Sequence, residues 1–156
     1  MKIVIGSDHG GYVLKSAILE ELRKKGIKCL DVGCSSEDSV DYPDFGIKVG
    51  EFVAENEYER GIAICKTGIG MSIVANKVPG IRAALCRDVE TAELSRKHNN
   101  SNVLVLPASQ LDAKVAFEIV NKWLVTDFDK GRHELRVNKI SQYETKIQER
   151  ISENIN

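Results

Sequence analysis

The chain has 156 residues, of which 42% are hydrophobic and 29% are charged, and its formal net charge is −1. These values are ordinary for a soluble globular protein, and the length predicts one domain over residues 1–156. A nearly neutral chain has no overall field that attracts nucleic acid or an anionic membrane surface. Its apolar runs are too short for a transmembrane helix. We therefore expect neither nucleic acid nor a membrane as a partner.

The beginning of the chain and its cysteines indicate a cytoplasmic protein. Met1 leads directly into an apolar strand, with no segment typical of a signal peptide. The four cysteines are Cys29, Cys34, Cys65 and Cys86, and they form no CxxC pair and no metal-ligand spacing. We expect reduced thiols in the cytoplasm, with neither a disulfide framework nor a bound metal.

Short apolar runs alternate with stretches of helical spacing along the chain. Strands are predicted at about residues 2–7, 27–32, 60–64, 81–85 and 103–106. Helices are predicted at about residues 12–25, 44–56, 71–76, 88–97, 112–125 and 138–153. Strands that alternate with helices are typical of a parallel sheet covered on both faces. The sequence thus predicts the α/β class, as a three-layer α/β/α Rossmann-like sandwich with a five-stranded parallel sheet.

The stretch Cys65–Ser72 has the pattern of a strand end, a tight turn and the start of a helix. Gly68 and Gly70 remove side chains from the turn, so that several backbone N–H groups can point at one anion. The following helix adds partial positive charge, which favours the thiolate form of Cys65. The turn could therefore hold an oxyanion beside a base. The alternative is structural, with a small buried cysteine and a turn that only packs.

Three further groups of polar residues could carry chemistry. Asp8 and His9 follow the first strand and could move a proton or bind an anion; the alternative is a helix cap and a solvated imidazole. The stretch 98–100 closes a helix, where the alternative is a C-terminal cap. Arg132 and Arg136 could clamp one phosphate if they lie on a helix; the alternative is a solvated charged face.

The position of these groups favours one common site. In an open parallel sheet, ligands bind at the carboxyl ends of the strands. Residues 7–9 and 65–67 follow predicted strands directly, and residues 98–100 follow after one helix. We therefore expect the three stretches to share one site.

In combination, these stretches resemble the ribose-5-phosphate isomerase type B family, which includes the galactose-6-phosphate isomerase subunits. The matching segments appear in family order over about residues 2–140, at 6–11, 41–45, 65 with 67–72, 75–77, 80–84, 95–96, 98–99 and 131–133. The resemblance implies aldose–ketose isomerisation of a sugar phosphate without a metal or other cofactor. It also implies a homodimer or a dimer of dimers, with a C-terminal helix used in dimerisation and with sites shared between subunits.

The resemblance assigns catalytic roles to four residues. Cys65 would be the base that carries a proton between C1 and C2 of the sugar. His98 would open the sugar ring, assisted by Asp8, and Thr67 would help to hold the enediolate. One branch of the family uses a carboxylate base where this chain has Met71, so the chain resembles the cysteine branch.

The resemblance also assigns substrate contacts. The enediolate would be held by backbone N–H groups of the turn and by one amide side chain: Gly68, Ile69, Gly70, Met71 and Asn99. The phosphate would be bound by one imidazole and two guanidinium groups: His9, Arg132 and Arg136. An isomerase needs these parts, namely a base, an oxyanion pocket and an anchor away from the reacting carbons.

Two positions depart from the family pattern. Glycine usually follows the catalytic cysteine, and here Lys66 follows it. An arginine that reaches a phosphate usually follows a Leu-Gly pair, and here the stretch is Leu106–Ser109. We expect Lys66 to bind substrate and to supply part of the missing positive charge. Ribose 5-phosphate is the leading substrate. The alternatives are galactose 6-phosphate, allose 6-phosphate or a tetrose phosphate, and a non-catalytic sugar-phosphate-binding subunit.

Overall fold

A computed structural model describes residues 1–154 of the protein. The strands are β1 (Lys2–Ser7), β2 (Lys28–Asp31), β3 (Arg60–Cys65), β4 (Ala83–Leu85) and β5 (Val103–Pro107). The helices are α1 (Tyr12–Lys24), α2 (Tyr42–Ala54), α3 (Ile69–Ala75), α4 (Val89–Asn99), α5 (Ala113–Val125) and α6 (Arg132–Glu153). The strands form one parallel sheet in the order β2-β1-β3-β5-β4. The predicted α/β class and five-stranded parallel sheet are confirmed.

Buried apolar side chains cover both faces of the sheet. Successive residues of a strand point to opposite faces, so Ile3 and Val4 enter different layers. On one face, the strands pack with α1, α4 and α5, whose largest buried side chain is Trp123. On the other face, Val4 and Cys65 pack with α2 and α3. This arrangement is the predicted three-layer sandwich, and it directs the Cys65 side chain towards the α2/α3 layer.

Three helices begin earlier than predicted, and two of them are α2 and α6. Helix α2 begins at Tyr42 because Pro43, which lacks a backbone N–H, is well suited to the first helical turn. Helix α6 begins at Arg132, six residues before the predicted start at residue 138, and Gly131 with φ of 55° directly precedes it. The first turn of α6 therefore includes the charged stretch that the sequence left outside a helix.

Two boundaries near the sheet also differ. Helix α3 begins at Ile69 instead of residue 71, directly after Gly68. Strand β4 begins at Ala83 instead of residue 81. The N–H of Arg82 donates to the Asn102 side chain at 2.7 Å, which replaces a bond to a neighbouring strand.

The strand order creates one crevice at the carboxyl edge of the sheet. The chain moves from β1 outward to β2, and it then returns to place β3 on the other side of β1. The carboxyl ends of β1 and β3 flank this topological switch point, where ligands of open α/β sheets bind. None of the helices within residues 1–154 is both long and apolar enough to span a membrane.

Candidate active site

Asp8 and Cys65 lie side by side at the switch point. Ser7 is in register with Ile64, so the next residues of the two strands are neighbours. The N–H of Asp8 donates to the carbonyl of Ile64 at 3.3 Å and continues the sheet for one more step. Cys65 is also in register with Pro107 of β5. The carboxyl ends of three strands thus converge on a single row of residues.

The Cys65 sulfur is held by the turn that follows it. Cys65 is buried, and its Sγ accepts a hydrogen bond from the N–H of Gly68 at 3.2 Å. Gly68 has φ of 75°, and a Cβ atom there would lie 2.4 Å from Cδ1 of Leu85. The turn therefore requires glycine at this position, both for its left-handed backbone and for space. This contact fixes the position of the sulfur beside the turn.

The start of α3 leaves backbone donors available beside this sulfur. The N–H of Ile69 donates to Oγ1 of Thr67 at 3.4 Å. The N–H groups of Gly70 and Met71 belong to the first helical turn, and they have no acceptor among residues 1–154. The Tyr42 ring lies against Gly70, where a Cβ atom would approach the ring to 2.7 Å. The turn thus presents two free donors to an anion, with an aromatic wall behind them.

Asp8 and His9 each combine a structural contact with a free polar atom. Oδ1 of Asp8 accepts a hydrogen bond from the N–H of Gly11 at 3.1 Å, so the predicted capping alternative holds for one oxygen. Asp8 is buried, and no described residue bonds its other oxygen. His9 is half-buried, and its Nδ1 accepts a hydrogen bond from the N–H of Val40 at 3.1 Å. Oδ2 of Asp8 and Nε2 of His9 therefore remain available to contact a ligand.

The two positions that depart from the family pattern are in contact. The N–H and the hydroxyl of Ser109 donate to the carbonyl of Lys66, at 2.9 and 2.7 Å. Lys66 itself is exposed, and its Cβ lies beside Gly10, 3.1 Å from where a Gly10 Cβ would be. Ser109 therefore supports the backbone of the turn, and the Lys66 side chain leaves the turn next to the Asp8–Gly11 segment.

A second group of predicted site residues lies at the other edge of the sheet. The rings of His98 and His133 stack face to face, with centroids 4.3 Å apart and planes within 8°. The carbonyl of Asn100 accepts a hydrogen bond from Nε of Arg82, which directly precedes β4. Helix α4 runs back against the sheet, so its last residues lie at the amino ends of β4 and β5. We call residues 98–99, 132–133 and 136 the amino-edge cluster, and residues 8–9 and 65–71 the carboxyl-edge cluster.

Within one chain, the stretches 7–9, 65–67 and 98–100 do not meet at one edge of the sheet, so the expectation of a common site does not hold for a single chain. Strand β5 is five residues long, and about 3.3 Å per residue gives roughly 13 Å between the two edges. The rule about carboxyl ends applies to residues that follow a strand directly. His98 and Asn99 follow a complete helix, which returns the chain to the opposite edge.

The amino-edge cluster has a strongly positive environment. Arg132 and Arg136 are one turn apart on α6, as their spacing predicted. Burial lowers the pKa of His133, and the nearby His98, Arg132 and Arg136 lower it further, while Asp129 has the opposite effect. Such a cluster suits a dianionic group such as a phosphate ester.

The buried Arg96 holds the end of α4, which carries His98 and Asn99 of the amino-edge cluster. Nη1 of Arg96 donates to the Asn100 side chain at 2.9 Å and to the carbonyl of Ser101. Burial, together with Arg60 and Arg82, lowers the pKa of Arg96 to about 10. Asn100 has a left-handed backbone with φ of 48° and ends α4 as a C-cap. The predicted C-terminal cap is therefore present, and it fixes where His98 and Asn99 leave the helix.

The donor atoms of His98, Asp129 and His133 lie within 4.8 Å of one another, which raises the question of a metal centre. A metal binds an imidazole nitrogen in the plane of its ring. Because the two rings are stacked nearly parallel, their planes meet only far from both rings, beyond the reach of a coordinate bond. This arrangement of side chains does not fit a metal ion that both histidines coordinate.

Comparisons with known proteins identify the family. The sequence model described as Ribose/Galactose Isomerase matches residues 3–140. The chain belongs to the ribose/galactose isomerase family. As a member, it is a sugar-phosphate isomerase, and the predicted resemblance is confirmed.

Three relatives illustrate the similarity. The structure of ribose-5-phosphate isomerase B from Clostridium thermocellum is 52% identical, covers 94% of this chain and 99% of its own, and has a TM-score of 0.92. The Mycoplasma genitalium ribose-5-phosphate isomerase B with bound ribulose-5-phosphate is 40% identical, covers 92% and 96%, and has a TM-score of 0.89. D-erythrulose-4-phosphate isomerase of Pectobacterium atrosepticum is 39% identical over 92% of this chain and 95% of its own.

Four residues of this ribose/galactose isomerase family member contribute to the two clusters although sequence reasoning gave them no site role. They are Val40, Tyr42, Ser109 and His133. Pro43 could have indicated Tyr42, since it sets the start of α2 beside the turn. The contacts of Val40 and Ser109 involve backbone groups, which the sequence pattern does not reveal.

Proposed function

We propose that the protein interconverts ribose 5-phosphate and ribulose 5-phosphate through an enediolate, with Cys65 as the base and without a metal ion. The observation that carries the proposal is the position of the Cys65 sulfur. It lies at the switch point of the sheet, accepts the Gly68 N–H, and is followed by the free N–H groups of Gly70 and Met71. A base and oxyanion donors on one short turn are what enediolate chemistry needs.

The proposed reaction moves one proton between two carbons. His98, assisted by Asp8, opens the ring of the aldose phosphate. The Cys65 thiolate removes the proton from C2, and the negative charge passes to the oxygen on C1. The N–H groups of Gly68–Met71, with Thr67 and Asn99, hold this enediolate. Cys65 then returns the proton to C1, the hydroxyl proton moves from O2 to O1, and the ketose results.

We propose that the phosphate is bound by His9, Arg132 and Arg136, with Lys66 at the rim. The two arginines supply bidentate donors on one face of α6, while His9 approaches from the carboxyl-edge cluster. The Mycoplasma genitalium relative, whose structure holds ribulose-5-phosphate, supports a pentose phosphate as the ligand.

These roles require two chains, and we propose a homodimer in which the amino-edge cluster of one chain completes the carboxyl-edge cluster of its partner. The separation of the two clusters within one chain supports this arrangement. Apolar side chains are exposed on α3, at Ile69 and Ile73, and along α6, at Leu135, Ile140, Tyr143 and Ile151. Exposed apolar helix faces of this kind are typical of protein interfaces. The C-terminal helix α6 is thus our candidate dimerisation element.

We also propose that the chain is a single domain that works in the cytoplasm. All four cysteines are free, which suits a reducing compartment.

Isomerisation of a tetrose phosphate is the second candidate. Ser109, where the family has an arginine, supports the Lys66 carbonyl and offers no guanidinium group to a phosphate. The Pectobacterium relative, named for D-erythrulose 4-phosphate, shows that family members differ in the sugar.

A coupled isomerase assay against a panel of aldose phosphates tests the proposal. The panel includes ribose 5-phosphate, galactose 6-phosphate, allose 6-phosphate and erythrose 4-phosphate, and Cys65→Ala serves as the background control. We expect the highest kcat/KM with ribose 5-phosphate. A higher kcat/KM with another sugar would identify that sugar phosphate as the substrate in place of ribose 5-phosphate. Binding without turnover of any sugar would indicate a non-catalytic sugar-phosphate-binding subunit.

A further inference from the structure

The imidazole of His9 has one nitrogen fixed by a contact with a distant loop. The backbone N–H of Val40 donates to Nδ1 of His9 at 3.1 Å, across 31 positions of the sequence. A ring nitrogen that accepts a hydrogen bond carries no proton, so the proton of His9 is on Nε2. In this arrangement His9 is neutral and has a single donor, Nε2–H, on the side of the ring away from Val40.

The loop that carries Val40 is anchored at its other end as well. We call residues 34–40 the His9 loop. The N–H of Cys34 donates to the carbonyl of Ser7 at 2.9 Å, two residues before His9. The carbonyl of Cys34 accepts a hydrogen bond from the fully buried Nζ of Lys15 at 2.7 Å. The loop is therefore attached on both sides of the segment that it orients.

The anchor itself is an ion pair with little freedom to move. Nζ of Lys15 lies 2.8 and 2.7 Å from the two carboxylate oxygens of Asp31, at the end of β2. Gly33 packs closely against Ser7 and Lys15, since a Cβ atom there would lie 2.6 Å from the Ser7 nitrogen and 3.0 Å from Nζ of Lys15. Removing one partner of such a pair leaves a buried charge, so the geometry is strongly specified.

We propose that Val40 is a positioning residue, whose N–H keeps His9 as the neutral Nε2–H tautomer and directs that single donor at the substrate phosphate. This inference rests on the proposed function, in which the carboxyl-edge cluster binds a sugar phosphate. His9 then contributes a directed hydrogen bond, and the positive charge at the phosphate comes from Arg132, Arg136 and Lys66. An imidazolium would lose the Val40 contact, because a protonated Nδ1 cannot accept a hydrogen bond.

Nitrogen NMR of the histidine side chains tests the tautomer directly. The chain has only three histidines, and the signals of His9 are those that disappear in His9→Asn. At neutral pH, we expect His9 to show an unprotonated Nδ1 and a protonated Nε2 in the free enzyme. Addition of inorganic phosphate should move the Nε2 signal and leave Nδ1 unprotonated. A protonated Nδ1, with or without phosphate, would overturn the inference.

A matched pair of variants at Val40 separates a positioning role from an effect on folding. Val40→Pro removes the N–H donor, and Val40→Ala keeps it. The proline variant should yield a mixture of His9 tautomers and a higher KM with nearly unchanged kcat, and the alanine variant should keep the wild-type tautomer. An unchanged tautomer in Val40→Pro would contradict the role of Val40. If the proline variant does not fold, slow exchange of the Val40 amide in wild type and fast exchange in His9→Gln decide the same point.

His9→Asn and His9→Gln divide the two functions of the ring. An Asn amide occupies the place of Nδ1 and can accept the Val40 N–H, whereas a Gln amide reaches the place of Nε2 and can donate to phosphate. Loss of a hydrogen bond to a charged group costs about 1.5–3 kcal/mol, so we expect KM to rise roughly tenfold to a hundredfold in His9→Asn. The tautomer is read without turnover. A neutral Nε2–H form in a protein that isomerises no sugar would therefore contradict the proposed function alone.

Discussion

Cys65 and His98 lie at opposite edges of one parallel sheet. Cys65 ends β3, and its sulfur accepts the Gly68 N–H. His98 lies at the end of α4, stacked on His133, next to the amino ends of β4 and β5. Roughly 13 Å of strand separates the two edges, which is too far for both side chains to contact the same carbon atoms of one sugar. If both act on one sugar, they belong to different chains.

The first prediction concerns the base. Cys65→Ala should lower kcat by several orders of magnitude and leave sugar-phosphate binding almost intact, because Met71 offers no carboxylate that could take over. The measurement is kcat together with calorimetric affinity for the substrate. Cys86→Ala is a matched control, since burial raises the pKa of this thiol and it lies in the core away from the turn. Substantial turnover by Cys65→Ala would exclude Cys65 as the base.

The second prediction concerns ring opening. His98→Asn should slow turnover of the cyclic aldose phosphate. It should spare the reverse reaction, because the ketopentose phosphate is already open-chain. Steady-state rates in the two directions measure the effect, and equal losses in both would instead indicate that His98 takes part in proton transfer.

The third prediction concerns the backbone of the turn. Gly68→Ala forces a side chain into a left-handed conformation, which costs about 1–2 kcal/mol, and pushes its Cβ into Leu85. It should therefore reduce both kcat and the free energy of unfolding. Gly26→Ala is the matched control, since Gly26 has φ of 73° and nothing within 4 Å of a Cβ atom. It should destabilise the fold by the backbone cost alone and keep full activity, as urea unfolding and kcat can establish. Wild-type kcat in Gly68→Ala would contradict the role of the turn.

The fourth prediction concerns the two unusual positions. Lys66→Gly should raise KM more than it lowers kcat, because a rim charge binds ground state and transition state alike. Adding Ser109→Arg should recover part of this loss. The KM values of wild type, Lys66→Gly, Ser109→Arg and the double variant give the coupling energy between the two positions. Ser109→Ala controls for the lost hydrogen bond to the Lys66 carbonyl. If KM is the same in Lys66→Gly as in wild type for every sugar tested, the compensation idea fails, and altered substrate choice becomes the better account.

Much of the fold could be predicted because its signals are local. Apolar runs such as Ile3–Ile5 and Ile62–Ile64 are buried strands, and Asp88 and Asp112, where two helices were predicted to begin, cap α4 and α5. The start of α6 was missed because a charged first turn has no apolar periodicity, and only Gly131 indicates it.

The candidate site was predicted only in part, for a topological reason. Residues directly after a strand, such as Asp8 and Cys65, could be assigned to one edge from the sequence. The edge occupied by His98 depends on the course of α4, and the contact of Ser109 with Lys66 depends on how β3 and β5 end side by side. Neither leaves a periodic pattern, so both required the three-dimensional structure.

The most direct test of the account is complementation between two chains that are each impaired with the cyclic aldose phosphate. Cys65→Ala and His98→Asn are mixed in equal amounts, exchanged through reversible dissociation, and assayed with the cyclic aldose phosphate. In a mixed dimer with shared sites, one site carries both substitutions and the other carries neither. Random pairing makes about half of the dimers mixed, so activity should recover to about one quarter of wild type. No recovery in a mixture shown to contain mixed dimers would contradict the shared site.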